Sequence, residues 1–207
     1  MTRLLLVLIL GLLPPLAAPA RAAPWGSLDA QATGRLVAGP PGWLNWCMAD
    51  PARCRPRPGA VRVAATGKLL DLLARVQTDV NRSMVARAEP PGRDLWQLGK
   101  TVGDCEDFAL AKQERLRAAG LPPGALRIAT ARLPHGELHA VLTVETDHGT
   151  LVLDNLAAAV VPVSALRYEW LRVQSTDANL RWSELRSLSA TAPAAAPLPV
   201  GATVPAQ

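Results

Sequence analysis

The feature that most constrains the fold is a change of apolar period near residue 120. Before it, Leu69, Leu72, Leu73, Val76, Val80 and Met84 recur at helical spacings of three and four. Thr66 suits an N-cap, so the spacing predicts a helix over 66–88, and Pro90-Pro91-Gly92 breaks the chain after it. A second helix is expected to begin in Gly103-Asp104-Cys105-Glu106-Asp107. It carries Cys105, Phe108, Ala109, Lys112 and Leu116 along one side, and it stops at Gly120 before Pro122-Pro123. Beyond residue 125 the period falls to two. Residues 126–130, 139–145 and 150–154 read as strands, and Asp147-His148-Gly149 is a turn between the last two. Residues 160–163 suit a short edge strand, where Pro162 is tolerated, and 168–173 suit one more. Helices first and antiparallel strands after predict an α+β fold, with N-terminal helices packed on an antiparallel sheet, rather than alternating βαβ units.

The N-terminus has a different character. Arg3 is followed by an apolar run from Leu4 to Leu13, then Pro14-Pro15, then small residues ending in Ala20-Arg21-Ala22. A charged start, an apolar stretch and a small-residue cleavage region read as a secretory signal over 1–22. The run is about half of the ~20 residues that span a bilayer, although an uncleaved anchor stays open. Cleavage near Ala22 would remove Arg3 and Arg21 and no acid, taking the formal charge from +5 to +3. So mild and scattered a charge gives no reason to expect a nucleic-acid partner. The expected location is periplasmic or secreted. The 207 residues, 49% of them hydrophobic, suffice for one cored domain with tails. Residues 23–42, rich in Gly and Pro, read as a flexible lead-in, and 43–186 as the domain. Residues 187–207, without charge and mostly Ala, Pro, Val and Thr, read as a disordered tail.

Three cysteines remain to be placed. In an oxidising compartment close cysteines usually pair, so Cys47 and Cys54 are expected to form a disulfide, two unrelated thiols being the alternative. Cys105 is then the odd one. It sits at a predicted helix N-terminus, which favours a thiolate, among Asp104, Glu106 and Asp107, which oppose it. An imidazolium would be the usual counter-charge. Of the three histidines, His135 lies in a loop and His148 in a turn, while His139 opens a strand. A hairpin loop of two or four residues would set His139 either directly opposite Asp154, or opposite residue 156 with Asp154 as diagonal neighbour. Both registers put His139 and Asp154 on one sheet face and Asn155 on the other. Taken only as residue types in order, Cys105, His139 and Asp154 fit a thiol triad, and equally a buried cysteine, a strand histidine and a turn aspartate.

The strings themselves are more specific. Gly103-Asp104-Cys105-Glu106-Asp107-Phe108-Ala109-Leu110-Ala111-Lys112, His139-Ala140-Val141-Leu142 and Leu151-Val152-Leu153-Asp154-Asn155-Leu156 resemble the signature blocks of the bacterial transglutaminase-like cysteine proteinases. Trp46 to Cys54, with its two cysteines, and the closing Tyr168-Glu169-Trp170 with Arg181-Trp182 resemble the same family. The likeness covers roughly 43–186 and is nearest the short stand-alone branch, since the loop 92–102 looks shorter than in many members. It implies a papain-like, transglutaminase-type fold with Cys105 as nucleophile, His139 as general base and acid, and Asp154 as the orienting acid. It implies hydrolysis of peptide bonds in a secreted or surface protein. The best-understood relatives, periplasmic proteases of the LapG type, release biofilm adhesins and are held inactive by an inner-membrane cyclic-di-GMP receptor. Their calcium-binding acids map onto Asp104 and Glu106. Capping of the helix by Asp104 is the plain alternative. Other readings of the residues are a transamidase or deamidase using the same triad, and a calcium-binding module without catalysis. A zinc site lacks an evident fourth ligand, a thiol-redox role lacks a second nearby cysteine, and no organic cofactor is expected.

Overall fold

The computed structural model describes residues 25–55, 59–90, 92–176 and 180–186. The expected leader 1–22 and tail 187–207 lie outside the described residues. In chain order, strand β1 (Ala32–Ala38) precedes helix α1 (Pro41–Ala49), helix α2 (Gly67–Ser83), and the short strands β2 (Val85–Ala86) and β3 (Val102–Gly103). Helix α3 (Cys105–Ala118) follows, then β4 (Leu126–Arg132), β5 (Leu138–Thr146), β6 (Gly149–Leu153), β7 (Val161–Pro162), β8 (Glu169–Gln174) and β9 (Arg181–Leu185). Among the described residues seven strands form one antiparallel sheet in the order β1-β9-β8-β4-β5-β6-β7. The expected α+β arrangement is present, and Pro162 lies on the edge strand.

The period-two pattern of β4, β5 and β6 sorts their side chains onto two covered faces. Leu126, Ile128, Ala140, Leu142, Val144, Leu151 and Leu153 pack with Leu69, Leu73, Val76 and Val80 of α2 and Phe108, Ala109 and Leu116 of α3. Ala129, Ala131, Val141, Val152 and Val173 pack on the other side with Leu28, Val163 and Trp170. A central strand buried on both faces reads as a near-continuous apolar run, which β5 does.

The second face explains a correction. Residues 23–42 are not a loose lead-in over their described part. The Trp25 N–H donates to the His148 carbonyl and the Thr150 N–H to the Gly26 carbonyl. Leu28 is fully buried against the sheet, and β1 pairs with β9 through a bulge. Without this segment the second face would meet water. The signal was weak because β1 is an edge strand with mostly exposed side chains, so it lacks apolar alternation.

Helix α2 is capped as expected, Thr66 Oγ1 accepting the Leu69 N–H. It ends at Ser83 rather than near 88, because β2 pairs in parallel with β3. The Val85 N–H donates to the Thr101 carbonyl and the Arg87 N–H to the Gly103 carbonyl. This short ladder lays the 85–89 segment beside the residues that lead into Cys105. The Cys47–Cys54 disulfide is formed, joining the end of α1 to the turn Pro51–Cys54. Trp182 of the unanticipated strand β9 is fully buried, its ring edge-on to Trp43 at 5.4 Å and to Trp96 at 6.4 Å.

Candidate active site

The β5–β6 hairpin decides where His139 and Asp154 lie. Its pairs run from Thr146↔Gly149 to Leu142↔Leu153, so the connection is the two-residue loop Asp147-His148. The register is the one in which Asp154 is a diagonal neighbour of His139. Pairing stops at Leu153, and Asp154 begins a turn in which the Leu156 N–H donates to Asp154 Oδ1 at 2.8 Å. His139 Nε2 meets the same Oδ1 at 2.8 Å, with both residues buried. Tyr168 Oη donates to Oδ2 at 2.7 Å, and its ring stands edge-on to the imidazole at 6.0 Å. Burial, the largest influence, pushes the Asp154 carboxyl upward. The bonds from His139, Leu156 and Tyr168, with the His139 charge, outweigh it and hold the pKa below the ordinary value.

Two amides of α2 hold the turn from behind. Gln77 Nε2 donates to the Asp154 and Ala157 carbonyls at 2.6 and 2.7 Å, and Asn81 Nδ2 to the same carbonyls at 3.2 and 3.1 Å. Neither residue was picked out from sequence. The signal available was Gln77 itself, a polar side chain inside the apolar stripe Leu73-Val76-Val80, where a buried amide must find partners.

Cys105 is the first residue of α3 and the free cysteine. Its entry is tightly built. A Cβ on Gly103 would stand 2.4 Å from Asp107 Oδ2, so only glycine fits there. Asp107 Oδ1 accepts the Gln97 N–H at 2.7 Å, tying the loop 92–102 to the first turn of α3. The sulfur accepts the Ala140 N–H at 3.3 Å. That N–H belongs to the residue after His139 and lies beyond the last β5–β6 pair, on an edge that β6 leaves open. The thiol therefore reaches β5 beyond its last pair with β6, where Asp154 has left the sheet and His139 stays paired with Ala131 of β4. The thiol also lies 3.2 Å from Glu106 Oε2, to which it donates. Among the described residues no hydrogen bond joins Cys105 to His139. Burial first, then the Glu106 charge, pushes the thiol pKa well up, so in this arrangement the sulfur keeps its proton.

The acids beside it cluster. Ligand oxygens of Glu89, Asp104 and Glu106 all lie within 4.8 Å of one another. Sequence reading named Asp104 and Glu106. Glu89 arrives through the β2–β3 ladder, and nothing local marks it. Asp104 occupies the N-cap position, yet its side chain makes no cap bond and its buried Oδ1 has no hydrogen-bond partner among the described residues. Burial and then the Asp104 charge raise the Glu106 pKa to about 8. Carboxylates gathered this closely, one with an orphaned oxygen, form a hard-oxygen donor set that fits a cation such as calcium. His135 and His148 lie elsewhere. His135 is exposed on Glu137 at 3.0 Å, and His148 packs against Trp25 in the hairpin loop.

Comparison with known families adds the decisive observation. The model of the bacterial transglutaminase-like cysteine proteinases matches residues 33–190. The chain belongs to that family. It is accordingly a cysteine peptidase of transglutaminase-like type with the α+β fold described above. Among solved structures it is similar to Legionella pneumophila LapG in calcium-bound form. That match has 26% identity and a TM-score of 0.49, and covers 58% of this chain and 72% of that one. It is also similar to LapG without that description, at 27% identity and a TM-score of 0.49, covering 56% and 68%. The EGTA-treated LapG gives 27% and 0.49, covering 56% and 67%. No curated protein matches. In this proteinase, Cys105 and the His139–Asp154 pair occupy one corner of the sheet, and Glu89, Asp104 and Glu106 flank the thiol.

Proposed function

We propose that the proteinase hydrolyses peptide bonds with Cys105 as nucleophile, His139 as general base and acid, and Asp154 as the orienting carboxylate. The observation that carries this is the buried 2.8 Å bond from His139 Nε2 to Asp154, at the strand end whose next N–H rests on the Cys105 sulfur. With Nε2 committed to Asp154, Nδ1 is the ring nitrogen left to take the thiol proton. The thiolate attacks the peptide carbonyl, and the resulting imidazolium, steadied by Asp154, gives its proton to the leaving amine. Water, deprotonated by Nδ1, then hydrolyses the thioester and frees the sulfur. The Cys105 backbone N–H, at the head of α3, would be one donor to the oxyanion.

Asp104 and Glu106, joined by Glu89, would hold calcium. A divalent cation there would offset the negative charge beside the thiol. The N-terminal leader pattern supports a periplasmic or secreted setting. The family resemblance alone carries the finer proposals: an adhesin as substrate, a role in biofilm control, and an inner-membrane cyclic-di-GMP receptor as regulator.

The test is alkylation of Cys105 by an electrophilic thiol probe, read by mass spectrometry beside hydrolysis of unfolded casein. Both should fall at least about a hundredfold in His139→Ala, within the span assigned to general acid–base groups. Both should be unchanged in His135→Ala and His148→Ala. Equal labelling in His139→Ala, or release of ammonia without new N-termini, would remove the peptidase assignment of these residues. For the cation, added calcium should raise the Tm of the native chain and leave that of Glu89→Gln/Asp104→Asn unmoved, whereas equal shifts would place calcium elsewhere.

A further inference from the structure

The distance along α3 from Cys105 to Arg117 is about 18 Å at the rise of an α-helix. A cleft of about 110 Å³ opens at that far end, between α3, the start of β4, the ends of β8 and β9, and the disulfide-closed turn after α1. Arg53, Arg55, Arg117 and Arg181 line it beside Trp46, and among the described residues no Asp or Glu lines it. Arg127 also borders it, but its guanidinium is taken up by Asp29 and Glu145. The concentration of positive charge does not follow from composition, since the chain's formal charge is only +5 over 207 residues.

The counter-charges around the cleft are weak. Arg53 pairs with Asp50, both exposed, and the half-buried Arg117 with the exposed Glu114, each across three residues, and pairs open to water contribute little. The Arg181 guanidinium donates to the Leu36 carbonyl, and Arg55 has no carboxylate partner among the described residues. The Arg53 guanidinium also lies 5.1 Å over the half-buried Trp46 ring, a cation–π contact at the cleft wall. Several planar cations converging on one concavity match carboxylates, which arginine binds through two parallel hydrogen bonds.

We propose that this cleft is a docking site, separate from the Cys105 corner, for an acidic segment of a protein, with its Asp and Glu side chains on the four arginines. An extended chain covers 18 Å in about five or six residues, so one polypeptide could reach both places. The assignment stands whether or not Cys105 is the nucleophile.

Calorimetric titration of the full chain with an octaglutamate peptide tests it. Saturable binding is expected that weakens as salt rises. Affinity should fall at least about tenfold in Arg55→Glu/Arg117→Glu, where two charge-assisted contacts are reversed. It should be retained in Arg132→Glu, an exposed arginine at the other end of β4. If the double variant melts below the native chain, Arg55→Gln/Arg117→Gln replaces it. Absence of saturable binding at low salt, or an equal loss in Arg132→Glu, overturns the proposal. So does tighter binding of a single-stranded oligonucleotide through the same arginines, since the cleft would then select phosphates.

Discussion

Asp154 carries more structural information than any other residue of the site. It accepts from an imidazole, a phenol and a backbone N–H, and its own carbonyl accepts from two amides. Lys112 is the contrasting case. It is fully buried, and its Nζ has no hydrogen-bond partner among the described residues and lies 6.0 Å from the Phe108 ring. Burial drives its pKa from 10.5 down to about 7, against the attraction of Asp154. Between those values the unfolded chain holds a proton that the folded chain lacks, so stability rises with pH across this window. The penalty is absent above about 10.5, grows as pH falls, and is complete below about 7. Lys112→Met keeps the length and removes the charge. Its gain in Tm over the native chain should be larger at pH 7 than near pH 10, and calorimetry at both values checks it. Equal gains would mean that the ammonium has a buried partner. Lys112 was legible in sequence only as a member of the α3 stripe, because periodicity reports a face and not the charges that face it.

At the scale of elements, α2 holds the site as well as the core. The Asp154 and Ala157 carbonyls each accept from both Gln77 and Asn81, so either amide shields them from the loss of the other. Gln77→Leu and Asn81→Leu should each cost less than about 1 kcal/mol, while the double variant, which strips the Ala157 carbonyl of both donors and leaves the Asp154 carbonyl only the Ala157 N–H, should exceed the sum of the singles by about 1–3 kcal/mol. A double-mutant cycle by urea unfolding measures that excess. Thiol reactivity should fall in the double variant and not in the singles, because the turn beneath Asp154 is released only when both amides are gone. Additive losses would show that the two amides act separately. The hairpin is the element read best from sequence. Period-two alternation put His139 and Asp154 on one side before any partner was known, and the two-residue loop kept that parity. The clamp was not legible, because Gln77 and Asp154 are far apart in sequence and no local rule connects a helix amide to a distant turn.

For the molecule as a whole, the sheet needs two covers. The helices supply one, and the segment from Trp25 to the 3-10 turn Asp29–Gln31 supplies part of the other. Leu28→Ala should therefore destabilise the fold by about 2–5 kcal/mol, as for a buried leucine, while Arg35→Ala on exposed β1 should stay within about 0.5 kcal/mol. Denaturant midpoints decide the matter, and a Leu28→Ala cost as small as that of Arg35→Ala would return the segment to a loose lead-in. By itself the sequence determined the run of α2 and α3 followed by strands β4 to β8, the α3 stop at Gly120, the Cys47–Cys54 pairing and the shared face of His139 and Asp154. Each depends on a period or on near neighbours, which the chain carries locally. The tertiary structure alone decided the β1–β9 edge, the amide clamp, Glu89 beside Asp104 and Glu106, and the arginine cleft. Those join residues far apart in the chain, and such contacts exist only once burial of both sheet faces has chosen which segments meet.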